Sequence, residues 1–337
     1  MLKIIQDEGT IRKCQRQFTR SFKSYVDETI PVHLGHPGAS IAAKVLWSNH
    51  LGIWLFSGRT EGNRYWNAFG AIKPRINTHV PITCEINFPV SGIDRRIGGA
   101  LARDRKGRIF IVHRGKIGGG KKGIGKSLFS DHYRGVWEIT EDGEEETTMA
   151  VISALHSPRL VRQVAQFIHK IDKIKETASH RSPQTEMKFE AITFRETLVG
   201  ERYCDQEKNK DSECDHGLVV KDLADTLRRQ GLKVGNDGLH DLFIANDNGK
   251  ITEAFQIRTT CTPLTLHAGA ARLLLNSLRC APPPRLILVT PEKPESGLAL
   301  KLKDLNISIL SYTWDKDQAR FPDLRILLKN LPAEAED

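Results

Sequence analysis

The sequence predicts a two-domain protein of mixed α+β / α/β class, with a β-rich first half and a second half that alternates helices and strands. Three observations predict it. At 337 residues, with 39% hydrophobic and 27% charged side chains, the chain can form two soluble domains of ordinary size. Its apolar pattern changes from short aromatic and β-branched runs to a helical period near residue 157. A polar, proline-containing stretch, TASHRSPQTE, then separates the halves. The expected boundaries are a first domain at 1–176, a linker at 177–187 and a second domain at 188–330, with no internal repeat.

In the first half, KVLWSNHLGIWLFSG and RYWNAFGAI read as strands broken by Gly and Asn, and ITCEINFPV, RIFIVH and GVWEIT follow in the same style. SPRLVRQVAQFIHKIDKIKE reads as a helix: Ser157 suits the N-cap and Pro158 the first helical position. Leu160, Val164, Phe167, Ile168, Ile171 and Ile174 make one face. EKNKDSECD (207–215) reads as a polar surface loop.

The second half opens with HGLVVKDLADTLRRQG, a helix with Val219, Leu223 and Leu227 on one side and Gly231 as its stop. Two strands, DLFIA and EAFQIR, flank an NDNG turn. LTLHAGAARLLLNSL is the next helix, PRLILVTP an apolar strand, SGLALKLKDLN a third helix and ISILSYTW a last strand. Fully apolar late strands in the order α-β-β-α-β-α-β predict a sheet covered on both faces.

Charge narrows the partner. Between Ile93 and Gly135 twelve Lys/Arg face three acids, a local excess of nine that equals the +9 of the whole chain. Such a field points to a polyanion, and the DNA phosphate backbone is the first candidate. No apolar run approaches a membrane span, and the first residues lack the apolar stretch of a secretory signal. Six dispersed cysteines without CxxC pairs predict reduced thiols and a cytoplasmic location.

On EAFQIRTT, Phe255 and Ile257 point one way and Gln256 and Arg258 the other. An edge strand with one solvated face would account for that. Asp241, however, opens the preceding strand, and the flanking helices and strands have regular lengths. From residue 186 to 325 the pattern resembles the PD-(D/E)xK nuclease superfamily, whose restriction-endonuclease-like core runs αβββαβ with an acid opening one strand and (E/Q)-x-K on the next. The glutamine version is similar to the Mrr-like restriction enzymes. The resemblance implies Asp241 and Gln256 as ligands of Mg²⁺ (or Mn²⁺), and Asp241, Gln256 and Arg258 as the catalytic set. Such a metal activates water and neutralises charge on the scissile phosphate. Arg258 stands where the family has lysine; it grips phosphate well but is a poor general base. Glu253, on the opposite face, would need a bulge to join. Glu190, Glu196, Glu213 and His216 lie before or in the helix that often donates an acid in that superfamily; His216 fits a structural role better.

HRGKIGGGKKGIGKSLF (113–129) contains G-x-x-x-x-G-K-S from Gly120 to Ser127. A P-loop needs a strand leading straight into it, whereas RIFIVH ends six residues earlier in β-rich surroundings. Two readings stay open. One is a solvated loop. In the other, Arg95, Arg96, Arg114, Lys116, Lys121, Lys122 and Lys126 bind nucleic acid while the glycines admit a phosphodiester to backbone amides. The aromatic set Trp54, Phe56, Tyr65, Trp66 and Phe69 suits a core, although Arg64 and Asn67 would let RYWNAFG line a pocket. Cys204, Cys214 and His216 match no usual zinc spacing.

The expected function is a metal-dependent DNA endonuclease of restriction or anti-phage defence type, a homodimer if it cuts both strands symmetrically. The alternative is a nucleic-acid-binding protein whose nuclease fold has lost its chemistry. An NTP-binding protein that uses the glycine loop is the third class.

Overall fold

The computed structural model describes residues 1–36, 39–59, 62–118, 124–179, 210–278 and 280–329. It is a mixed α/β chain whose described residues form two compact units, 1–179 with 210–214, and 215–329.

The first unit begins with β1 (Leu2–Ile4) and α1 (Glu8–Ser21). Next come β2 (Glu28–His36), β3 (Ala39–Ser48), β4 (Ile53–Arg59) and β5 (Arg64–Gly70). Three two-residue strands follow, β6 (His79–Val80), β7 (Cys84–Glu85) and β8 (Phe88–Pro89). The unit continues with β9 (Gly99–Arg103), β10 (Ile109–His113), α2 (Lys126–His132), β11 (Val136–Asp142), β12 (Glu145–Ala154) and α3 (Leu160–Ser179). Strands β2 to β5 form an antiparallel meander, with β6 beside β2 and with β7 and β8 on β5. Strands β1, β11, β12, β10 and β9 close into a barrel.

Alternation divides each strand between two cores. Barrel residues Leu2, Ala100, Ala102, Phe110, Val112, Val136, Met149 and Val151 form one cluster to which all five strands contribute. Leu101, Ile111 and Ile152 join a second cluster with α1, α3 and the meander. Leu160, Val164, Phe167, Ile168, Ile171 and Ile174 are all buried there, so the α3 face is the predicted one. The helix starts at Leu160 because Ser157–Arg159 form a turn, in which the Arg159 amide donates to Ser157 Oγ.

Helix α1 is not among the elements expected from the sequence; among its charged residues it buries Ile11, Cys14, Gln15 and Phe18, a stripe at helical spacing. Asp7 caps it by accepting from the Thr10 amide at 2.7 Å. ITCEINFPV yields only β7 and β8 rather than one strand. Between them Asn87 turns its Oδ1 to the Asn67 amide, 2.8 Å away.

The second unit takes α4 (Lys210–Arg228) from Asp215 onward, then β13 (Lys233–Gly235), β14 (Leu242–Ala245), β15 (Ile251–Ile257) and α5 (Pro263–Ser277). It ends with β16 (Arg285–Thr290), α6 (Ser296–Asp304), β17 (Ile307–Ser311), β18 (Thr313–Asp315), β19 (Gln318–Arg320) and α7 (Leu324–Lys329). The main sheet is ordered β13-β14-β15-β16-β17, antiparallel for the first three and parallel for the last three. One face packs Leu242, Phe255, Ile257 and Val289 against Val219, Leu223 and Leu227 of α4; the other packs Ala254 and Leu288 against α5 and α6. Of the loop expected at 207–215, residues 210–215 belong to α4. Gly231 ends the helical segment at φ +83°, and Gly249 closes the NDNG turn at φ +78°. Among the described residues no helix is long and apolar enough to cross a membrane.

Candidate functional site

Strand register brings Asp241 and Gln256 together. Leu242 is paired with Phe255, so the residue before β14 lies across from Gln256. A turn in which Asp237 accepts from the Leu239 amide at 2.8 Å and from His240 delivers Asp241 to that point. Asp241 Oδ2 then accepts three N–H bonds: from His216 Nε2 at 3.2 Å, from the Ile257 amide at 2.9 Å and from Gln256 Nε2. All of these side chains are buried. Burial alone would raise the Asp241 carboxyl, but the His216 imidazole, the Ile257 amide and the Arg258 guanidinium together hold it below the ordinary carboxylate value.

Arg258 does not converge on this carboxylate through hydrogen bonds. It is 8% exposed, and Nε donates to Thr265 O at 3.2 Å and Nη1 to Ile257 O at 3.1 Å. The guanidinium thus ties the end of β15 to the start of α5. Gly269 makes room for it, since a Cβ there would sit 3.1 Å from Arg258 Nε. Glu253 shares its parity with Phe255 and Ile257 and accepts from Thr252 Oγ1, so it stays out of the site. Glu190, Glu196 and Cys204 lie outside the described residues, as does the Glu213 side chain.

Mg²⁺ or Mn²⁺ takes six or more oxygen ligands. Here one carboxylate oxygen already accepts three donors, and Gln256 presents its amide nitrogen to it. Among the described residues no cluster of three His, Cys, Asp or Glu side chains is placed to hold a metal. As placed among the described residues, Asp241 Oδ2 is taken up by N–H donors rather than turned to a cation.

The basic segment is also partly turned inward. Arg114 is buried; Nη2 meets Asp142 Oδ1 at 2.9 Å, Nε meets Oδ2 at 3.2 Å, and Nη1 donates to Ile97 O at 3.2 Å. It is a structural ion pair and is withdrawn from the phosphate-binding set. Arg95 leans on the same hairpin, donating to Asp142 O at 2.7 Å and meeting Glu145 at 3.2 Å. The acids that offset the segment thus lie just beyond it in sequence. Arg96 (90% exposed, held by Asp94 at 3.1 Å), Lys116 and Lys126 remain at the surface, and Lys121 and Lys122 lie outside the described residues. Lys126 and Ser127 open α2, but β10 runs antiparallel between β9 and β12, unlike the strand of a P-loop.

A cleft of about 1680 Å³ lies in the first unit, walled by Trp54, Trp66, Ile82 and Ile97. On β5 the parity separates the expected pocket residues. Arg64 and Trp66 reach the cleft, while Asn67 is fully buried behind it, bonded to Gln15 at 2.9 Å and to Ser57 at 2.7 Å. Tyr65 and Phe69 go with Asn67 into the core. Trp54 can line the cleft because it lies over Gly70, where a Cβ would come within 2.3 Å of its indole. The chain matches no family model, no curated protein and no solved structure.

Proposed function

We propose that the protein binds nucleic acid and that its second unit is a restriction-endonuclease-like fold retained as a scaffold. The closed state of Asp241 carries this reading. An oxygen that accepts three N–H bonds, beside an arginine tied to main-chain carbonyls, is arranged for stability rather than for phosphate. Binding then falls to the first unit, where Arg96, Lys116 and Lys126 face solvent. A second reading, a metal-dependent DNA endonuclease of restriction or defence type, is favoured by the order α4-β13-β14-β15-α5-β16 and by the register that opposes Asp241 to Gln256.

One experiment separates them. The full chain is incubated with plasmid and with linear DNA, with and without Mg²⁺ or Mn²⁺, and binding is followed across a salt series. The scaffold reading expects no cleavage and a binding constant that falls on the order of 10²- to 10³-fold between about 50 and 200 mM salt, as for roughly five phosphate contacts. Metal-dependent cleavage lost in an Asp241→Ala variant that circular dichroism shows to be folded would establish the second reading; salt-independent affinity would contradict both.

A further inference from the structure

We infer that the cleft of the first unit takes an unpaired nucleobase together with its phosphate, as part of a single strand. This rests on the nucleic-acid reading above and assigns it a site.

The observations are local. Arg64, Trp66, Arg96 and Ile97 line both the large cleft and an adjoining hollow of about 890 Å³. Trp66 is 9% exposed, and its buried indole N–H has no hydrogen-bond partner. Burying a donor without an acceptor is unfavourable, and a shift of the wall that admits a ligand acceptor would relieve it. Arg64, half-buried and two residues away on the same strand face, makes no ion pair or side-chain hydrogen bond among the described residues. Ile41 and Ile72 project apolar side chains into the same space, 47% and 67% exposed.

Charge selects the ligand further. Arg64, Lys73, Arg75, Arg96, Lys116 and Lys175 line the cleft against two acids, Glu85 and Asp172. Lys73 is engaged by Glu28 and Arg96 by Asp94, whereas Arg75 is exposed and, like Arg64, makes no ion pair. A ligand that satisfies all of this needs a flat apolar face, an acceptor on its edge and a negative charge close by. A nucleobase with its phosphate has the three. In a duplex both base faces are stacked away, so only an unpaired base can offer them. The cleft also exceeds the roughly 300–1,000 Å³ of small-molecule pockets, which favours a strand over a free nucleotide.

The test is fluorescence anisotropy of the full chain with a labelled single-stranded DNA 12-mer, the same sequence as duplex, and unlabelled nucleoside monophosphate as competitor. The single strand should bind at least tenfold more tightly than the duplex. Arg64→Ala and Trp66→Phe should each weaken it five- to tenfold while leaving duplex binding unchanged. Ile72→Asp, at an exposed position that folding tolerates, should do the same and keeps the test decisive if Trp66→Phe does not fold. If the duplex binds in a salt-dependent way and no variant changes single-strand affinity, the cleft assignment falls while the nucleic-acid reading stands. If neither form binds, both fall. Competition by the monophosphate at equal nucleotide concentration would overturn the assignment to a strand.

Discussion

The surroundings of Asp241 and of Arg64 each hold an arginine beside other polar groups, and the chain uses them in opposite ways. Around Asp241, acid, amide, imidazole and arginine are buried and bonded to one another or to main-chain oxygens. Around Arg64, a guanidinium at a large opening makes no ion pair among the described residues, and the Trp66 indole N–H is buried behind it without an acceptor. The first group has the residues expected of chemistry, but Asp241 Oδ2 and the Nε and Nη1 donors of Arg258 are engaged within the fold. The second was the less conspicuous in sequence and is the one left open. A polar motif thus indicates a ligand only where its hydrogen bonds are not already made within the fold.

The largest expected effects fall on the inward pairs. Arg114→Ala would leave the buried Asp142 with only the half-exposed Arg95 at 3.6 Å, and Asp241→Ala would leave three buried N–H donors without their acceptor. Each should cost about 3–5 kcal/mol in chemical denaturation. A cost below about 1 kcal/mol for Asp241→Ala would return that residue to the list of ligand-binding groups. His113 comes next. Burial, with a smaller effect from Arg114, depresses its imidazole to about 4, and its ring bonds the Gly115 amide at 3.0 Å. The unfolded chain takes up this proton near pH 6.5 and the folded one does not until about pH 4, so this contribution is present above pH 6.5 and lost as the pH falls towards 4. The loss is roughly 3 kcal/mol in total, and His113→Gln should flatten that part of the stability profile. Gly70→Ala would displace the Trp54 indole, cost about 1–3 kcal/mol and weaken single-strand binding with it. Arg96→Ala is the smallest in stability, because the pair with Asp94 is exposed and screened by solvent, yet it should lower nucleic-acid affinity.

Much of the second unit was legible in the sequence. The hairpin around NDNG and the stop at Gly231 follow from local chemistry, and the two-sided burial follows from apolar runs such as LILVT. Strand β13 was not, because LKVG offers three paired residues and no period. In the first unit α3 was plain from six buried positions on one face, whereas the shorter stripe of α1, Ile11, Cys14 and Phe18 among charged residues, has the same spacing and was missed. At the sites, alternation put Gln256 and Arg258 on one face but could not say that Arg258 would reach Thr265 O, because that contact depends on where α5 begins. The basic excess counted from 93 to 135 was real as a sum. Its partial cancellation by Asp142 and Glu145 needed the β11–β12 hairpin to be folded. Charge windows count neighbours in sequence, and ion pairs form between neighbours in space.

The contrast between the two regions is tested most directly by one titration of labelled single-stranded DNA against Arg64→Ala and Gln256→Ala, each checked for folding by circular dichroism. The account predicts that Arg64→Ala loses five- to tenfold in affinity and that Gln256→Ala binds like the unmodified chain at lower stability. The reverse, affinity lost with Gln256 and kept without Arg64, would contradict it.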